Sequence, residues 1–375
     1  MADVFSPIYL GLPGLALLLF WSPVSRAEES APPAAGPSPT SIASEAGPSP
    51  SPTATPPRTA AENASFAAVF RLGWDAANER RYHDAVTEYS EAIRLKPDDP
   101  AVYNNRGAVY QILKQYQQAI ADYNRAISLK PDFAEAYANR GYIRKTLSEP
   151  ASAISDYSEA ITLKSEFATA YDGRGNVYVS SGQYDNAIAD YNEAIRLSPN
   201  LAVAYMDRGL AYEALKRNQD AIKEYTEAIK CRPDFAAAYL KRANVYQQSQ
   251  RYKQAISDYA EVVRIEPSSA ETYGNLGLAY NALSQYQKAV ASCGNAIRLK
   301  PNFAEAYYNR GLAFKMLRQY GKAVADFTAA IGLRPDFADA YYNRGLAYDR
   351  LKQHDKAAAD YSEVIRLKQG QPQPL

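Results

Sequence analysis

Apolar residues recur along this chain at helical spacing, in paired runs that come back every 34 residues. In one such stretch, Pro100 to Lys114 carries a first amphipathic run and Tyr116 to Lys130 a second. Pro131 and Asp132 then stop that helix and open the next turn. The layout runs nine times from Phe66 to Gln371 without insertion or deletion. Its twentieth place is therefore always alanine: Ala85, Ala119, Ala153, Ala187, Ala221, Ala255, Ala289, Ala323 and Ala357. A repeat this short cannot bury its own apolar face and must stack on its neighbours, so the pattern predicts an all-α chain of helical hairpins.

Small residues mark the expected close approach of the two helices. Glycine holds the eighth place in eight repeats (Gly107, Gly141 and Gly175 among them), and Ala243 holds it in the sixth. Tyrosine holds the fourth place eight times, from Tyr103 to Tyr341. These rings are expected to fill the interhelical core with their hydroxyls at a polar edge. Repeat packing thus accounts for the excess of tyrosine, 31 in all.

The recurring string Tyr-x2-Arg-Gly-x2-Tyr, then Ala-x3-Tyr, then Pro, resembles the tetratricopeptide repeat, whose signature is Trp-x2-Leu-Gly-x2-Tyr, Ala-x3-Phe, Pro. The resemblance spans the 306 residues 66–371. It implies a right-handed superhelical α-solenoid of nine helix-turn-helix hairpins, with the first helices lining an inner face. It also implies a non-catalytic scaffold for protein–protein contact.

Arginine in the seventh place departs from that family, where leucine is usual. Seven repeats carry it, each with an acid sixteen residues on: Arg106 and Asp122, Arg140 and Asp156, Arg174 and Asp190, Arg208 and Glu224, Arg242 and Asp258, Arg310 and Asp326, Arg344 and Asp360. In the seventh repeat both charges vanish together, leaving Leu276 and Ser292. This covariation predicts cross-hairpin ion pairs, with a fork geometry that suits Arg and not Lys.

Charge adds little bias. Lys and Arg number 42 against 41 Asp and Glu, and the basic ends of the second helices alternate with acids, so nucleic acid is not an expected partner. Residues 1–27 read as a signal peptide cut after Ala27, or alternatively as an uncleaved membrane anchor. The run from Ile8 to Trp21 is short, and Ser25-Arg26-Ala27 supplies small residues at a cleavage site. An exported protein, periplasmic or secreted, is the expectation. Residues 28–65 read as a disordered spacer, with nine prolines among residues 31–58. Residues 372–375 form a short tail.

Catalytic ingredients are scarce. His83 and His354 have no Cys or His partner at metal-ligand spacing, and Cys231 and Cys293 lie too far apart in the repeat series for a disulfide. No metal or cofactor is expected, and no enzymatic activity.

By the resemblance, the second, fifth, sixth, ninth, twelfth and thirteenth places face inward. The sixth place gives Asn105, Asn139, Asn275, Asn309 and Asn343, amides able to hold the backbone of an extended peptide. A solvated, Asn-rich helix face is the alternative. Tyr308 and Tyr342 in the fifth place make the C-terminal repeats the favoured site, as aromatics beside amides. Glu271, Glu305 and Asp339 in the second place predict an acidic rim and a partner with basic character. A cell-envelope assembly or export factor holding a glycan or polymer is the competing class, and a regulatory subunit of an enzyme complex is more distant. Tyr361 and Ile365, with no following repeat to cover them, suggest end-to-end self-association.

Overall fold

The computed structural model describes residues 59–369, and among these it is built of eighteen α-helices with no strand. Residues 1–58 and 370–375 lie outside the described residues, and with them the expected signal peptide, most of the spacer and the tail. The chain divides into two compact units, one ending at Ser181 and one starting at Gly182. The first holds α1 (Ala60–Asn78), α2 (Tyr82–Leu95), α3 (Pro100–Ile112), α4 (Tyr116–Leu129), α5 (Ala134–Thr146), α6 (Pro150–Leu163) and α7 (Ala168–Ser180). The second begins with α8 (Tyr184–Leu197), α9 (Ala202–Ala214), α10 (Asn218–Cys231), α11 (Ala236–Gln248), α12 (Tyr252–Ile265) and α13 (Ala270–Ala282). It continues with α14 (Tyr286–Leu299), α15 (Ala304–Met316), α16 (Tyr320–Leu333), α17 (Ala338–Arg350) and α18 (His354–Lys368). Where both helices of a repeat fall in one unit they pack chiefly on each other, and the second helix then packs on the first helix of the next repeat.

Two boundaries differ from the sequence pattern. The helix α1 starts six residues ahead of Phe66, so the last residues of the expected spacer are helical. Thr59 and Glu62 cause this by forming a reciprocal capping box, Glu62 N–H to Thr59 Oγ1 at 3.2 Å and Thr59 N–H to Glu62 Oε2 at 2.9 Å. The first helices also stop about two residues early. After α3, Lys114 N–H donates to the Gln111 carbonyl and Gln115 N–H to the Tyr110 carbonyl, at 3.0 and 2.8 Å. This Schellman closure needs one left-handed residue, and Lys114 supplies it with φ of 59°. The same place is left-handed in every repeat, yet only Gly182 is a glycine there.

In eight of the nine repeats the twenty-fourth place is a ring, and in the seventh it is Cys293. A Cβ on Gly107, Gly209, Gly311 or Gly345 would come within 2.6–2.9 Å of Tyr123, Tyr225, Phe327 or Tyr361. The eighth-place glycine therefore makes room for a ring, and the first three of those rings are fully buried. The fourth-place tyrosines, expected in the core, are half-buried apart from Tyr103. Seven of the eight lie under an arginine instead, with the guanidinium 5.3–5.9 Å from the ring centroid; the exception is Tyr273, in the repeat that carries Leu276.

Six of the predicted ion pairs form within one unit: Arg106–Asp122, Arg140–Asp156, Arg208–Glu224, Arg242–Asp258, Arg310–Asp326 and Arg344–Asp360, with closest N–O distances of 2.5–2.8 Å. Nε and Nη2 of each arginine both donate to the acid, usually to separate oxygens. The acid side chains are only 3–8 % exposed. Burial raises the Asp122 carboxyl above its usual range while Arg106 pulls it back. Arg174 and Asp190 fall in different units.

A third partner was hidden in the sequence. The free Nη1 reaches back sixteen residues to the twenty-fifth place of the preceding repeat: Ser90, Asn124, Ser158, Asn192, Thr226 or Thr328, at 2.6–3.1 Å. Where Leu276 replaces the arginine, that place is Ala260. Arg106, Arg140, Arg208, Arg242 and Arg344 thus each fasten their own hairpin and also the joint before it. Arg310 lacks this third bond because Gly294 stands there, and it is the most exposed of the six, at 24 %. A Cβ on Gly294 meets nothing within 4 Å. Gly294→Thr should therefore stabilise the second unit by about 1–2 kcal/mol, from helix propensity and a hydrogen bond to a charged donor. Chemical denaturation of the variant checks this, and the gain should disappear when Arg310 is also replaced by leucine.

Candidate functional site

The amides of the sixth place divide into buried and open members. In the first unit, Asn105 and Asn139 are 0 % and 5 % exposed. Asn139 Nδ2 donates to Asn104 Oδ1 at 3.0 Å, and Asn104 Nδ2 donates to Asn105 Oδ1 at 3.4 Å. They satisfy one another inside the stack, so a peptide-binding role for these two does not fit. The fifth-place Asn104 decides this, because its amide is the polar partner of both.

The second unit differs. Asn275 and Asn309 are half-buried, and the Asn309 carbonyl accepts from Asn281 Nδ2 at 2.7 Å, tying α13 to α15. Asn343 is 8 % exposed and its amide orientation is fixed. Its Nδ2 donates to the Asp339 carbonyl at 2.8 Å and to Tyr308 Oη at 3.2 Å, while its Oδ1 accepts from Lys315 Nζ at 2.5 Å. Tyr308 is not the exposed aromatic that the sequence suggests. Its ring lies 4.7 Å from Phe337 and 5.8 Å from Phe327, and burial pushes its hydroxyl up to about 12, with Asp339 adding to the shift. Tyr342 is open, at 48 %.

The expected acidic rim is largely neutralised. Lys300 reaches Glu271 at 2.8 Å and Arg334 reaches Glu305 at 2.7 Å, each base lying 29 residues after its acid. Lys164 and Glu135 repeat the arrangement in the first unit at 2.9 Å. The same bases stack on the thirty-fourth-place phenylalanine, as Arg334 does 3.5 Å from the Phe337 centroid and Arg232 does 3.3 Å from Phe235. Their positions at helix C-termini are thus only part of their role. Asp339 has no ion pair among the described residues.

Leu278, Leu312 and Leu346 share the ninth place in three successive repeats. Leu278 is 37 % exposed, and Met316 in the thirteenth place is 54 % exposed. Fifth, ninth and thirteenth places fall on one helix face, and α13 contacts α15 as α15 contacts α17. The face therefore joins exposed apolar side chains to half-buried amides. The leucine row is legible in the sequence as Leu278, Leu312 and Leu346 at a spacing of 34 residues. Lys315, in the twelfth place, lies among them half-buried, and burial holds its ammonium below the usual lysine range.

Residues with chemical potential elsewhere are in ordinary settings. His83 is exposed, and His354 Nδ1 lies 3.0 Å from Asp349. Cys231 and Cys293 are free thiols, and burial pushes Cys293 up to about 12. Among the described residues no group of three His, Cys, Asp or Glu is placed to hold a metal ion, and no helix is long and apolar enough to cross a membrane. At the C-terminal end Ile365 is 57 % exposed, while Tyr361 is half-buried beneath Tyr342, 6.0 Å between centroids.

Comparison with known proteins agrees with this architecture. A family model described as TPR repeat matches residues 81–113, 175–216, 214–250, 244–284 and 277–317. Three models described as tetratricopeptide repeat match residues 100–133, 134–167 and 308–372. A search of curated proteins gives no match. Among solved structures, the chain is similar to MamA protein, with 27 % identity over 45 % of this chain and 92 % of that one, at a TM-score of 0.43. It is similar to pilF of Pseudomonas aeruginosa, with 19 % identity over 55 % and 94 %, at 0.50. It is also similar to the C-terminal part of a TPR repeat-containing protein of Cytophaga hutchinsonii, with 21 % identity over 64 % and 98 %, at 0.50. With two helices to each 34-residue repeat and matches over most of its length, the chain belongs to the tetratricopeptide-repeat family, whose stacked hairpins serve as scaffolds for protein interaction.

Proposed function

We propose that the chain is a non-catalytic scaffold that takes an extended polypeptide segment along the first helices of repeats seven to nine. The observation that carries this reading is the exposure of Leu278, Met316 and Tyr342 on adjoining helix faces, beside the amides of Asn275 and Asn309. Large apolar side chains left open on a regular stack, next to groups that both donate and accept, suit a peptide with alternating pockets and backbone contacts. Nucleic acid is a poor fit, because bases such as Lys300 and Arg334 are already held by acids and rings. Export, or tethering through the N-terminal residues, is part of the same proposal and rests on the apolar run from Ile8 to Trp21. Sequencing the N-terminus of the mature protein tests it.

A photo-crosslinking side chain placed at Met316 or at Tyr342 in the native cellular setting should yield discrete polypeptide adducts. The same group at Leu163, exposed to 37 % in the first unit, should not. Equal labelling at Leu163, or adducts lacking polypeptide, would contradict the assignment.

A further inference from the structure

We propose that Lys315 selects an acidic side chain in the docked segment, a carboxylate flanked by an apolar residue. The inference rests on the reading above, that this face binds polypeptide. Of the three N–H groups of Lys315, one donates to Asn343 Oδ1 at 2.5 Å. The Asn343 amide cannot turn away, because its Nδ2 is held by the Asp339 carbonyl and by Tyr308 Oη. Lys315 is thereby fixed in place with two donors left over, and among the described residues no carboxylate lies within 4.0 Å of its nitrogen.

The neighbouring charges are otherwise engaged. Glu271 and Glu305 hold Lys300 and Arg334. Asp349 accepts the Tyr361 hydroxyl at 2.7 Å and faces His354 at 3.0 Å. The Asp339 carboxylate acts on the Tyr308 hydroxyl, and the Asp339 carbonyl holds the Asn343 amide. Arg350, exposed in the thirteenth place of the ninth repeat, adds a second positive charge to the face. A half-desolvated ammonium without a counter-charge binds a carboxylate more strongly than a fully hydrated surface lysine does. The twelfth place is Asn281 one repeat earlier and Asp349 one repeat later, so Lys315 also sets a register. Met316 and Tyr342, exposed beside it, define the apolar flank. The acidic rim suggested a basic partner; with two of its three acids paired, the geometry favours the opposite sign.

The test uses the full chain and three fluorescent nine-residue peptide pools. Their central residue is fixed as Glu, Gln or Lys, and the flanking positions are mixed over Leu, Met, Phe and Ala. The Glu pool should bind about tenfold more tightly than the Gln pool, with the Lys pool weakest. Lys315→Gln should bring the Glu and Gln pools to within about twofold of each other, and Lys315→Glu should favour the Lys pool. Thermal melting by circular dichroism verifies that both variants are folded. Binding of all three pools alike, or a Glu preference that survives in Lys315→Gln, would overturn the charge selection while leaving the polypeptide site standing. Failure of every pool to bind the folded chain would overturn that site and this inference with it.

Discussion

Replacing Arg242 with leucine should destabilise the hairpin of α11 and α12 by about 3–5 kcal/mol, because it leaves Asp258 buried and unpaired. The carboxylate is 6 % exposed, and both its oxygens accept from Arg242 at 2.8 Å. The same change also takes the Thr226 hydroxyl's partner away from the preceding repeat. Leucine itself is not the difficulty. One repeat later Leu276 occupies the equivalent place, 6 % exposed among Ala243, Ala255 and Tyr259, with Ser292 and Ala260 where the acid and the hydroxyl would be. Copying that set as Arg242→Leu, Asp258→Ser and Thr226→Ala should therefore restore stability to within about 1 kcal/mol of the parent, since a buried ion pair is strongly destabilising to break but nearly neutral to replace whole. Denaturant midpoints, with amide hydrogen exchange in α11 and α12 to localise the effect, separate these outcomes. A triple variant as unstable as the single one would show that the arginines act by something other than pairing.

The period, the hairpins and the Arg–acid pairs were legible because each is a fixed spacing, repeated nine times for the hairpins and seven for the pairs, and the joint loss at Leu276 and Ser292 pointed to the partners without a structure. The link from Arg to the twenty-fifth place was obscured by chemistry. Ser, Thr and Asn perform one role there, so no single letter recurs. The left-handed turn was hidden for a related reason. Lys, Arg, Gln and Ser fill it in place of glycine, because the Schellman bonds hold the conformation against its steric preference.

The proposed binding face was half legible. Its helices and places followed from the resemblance, and Tyr342 is open as expected. Burial could not be read from place alone. Asn105 and Asn343 share the sixth place, yet one closes an amide chain with Asn104 and the other fixes a lysine. Glu271 and Glu305 looked like a free rim because their partners lie 29 residues away, on the other helix of the hairpin.

Repeats seven to nine are proposed to hold a polypeptide segment through their open apolar side chains. Met316→Ala combined with Tyr342→Ala removes two large side chains, 54 % and 48 % exposed, and disturbs little packing beyond the Tyr342–Tyr361 contact. The direct test is the affinity of a synthetic peptide matching the segment crosslinked at Met316, titrated calorimetrically against the parent chain and this double variant. The double variant should lose about 30-fold or more in affinity with an unchanged melting temperature, as expected when interface anchors are truncated. An affinity within about twofold of the parent would contradict it.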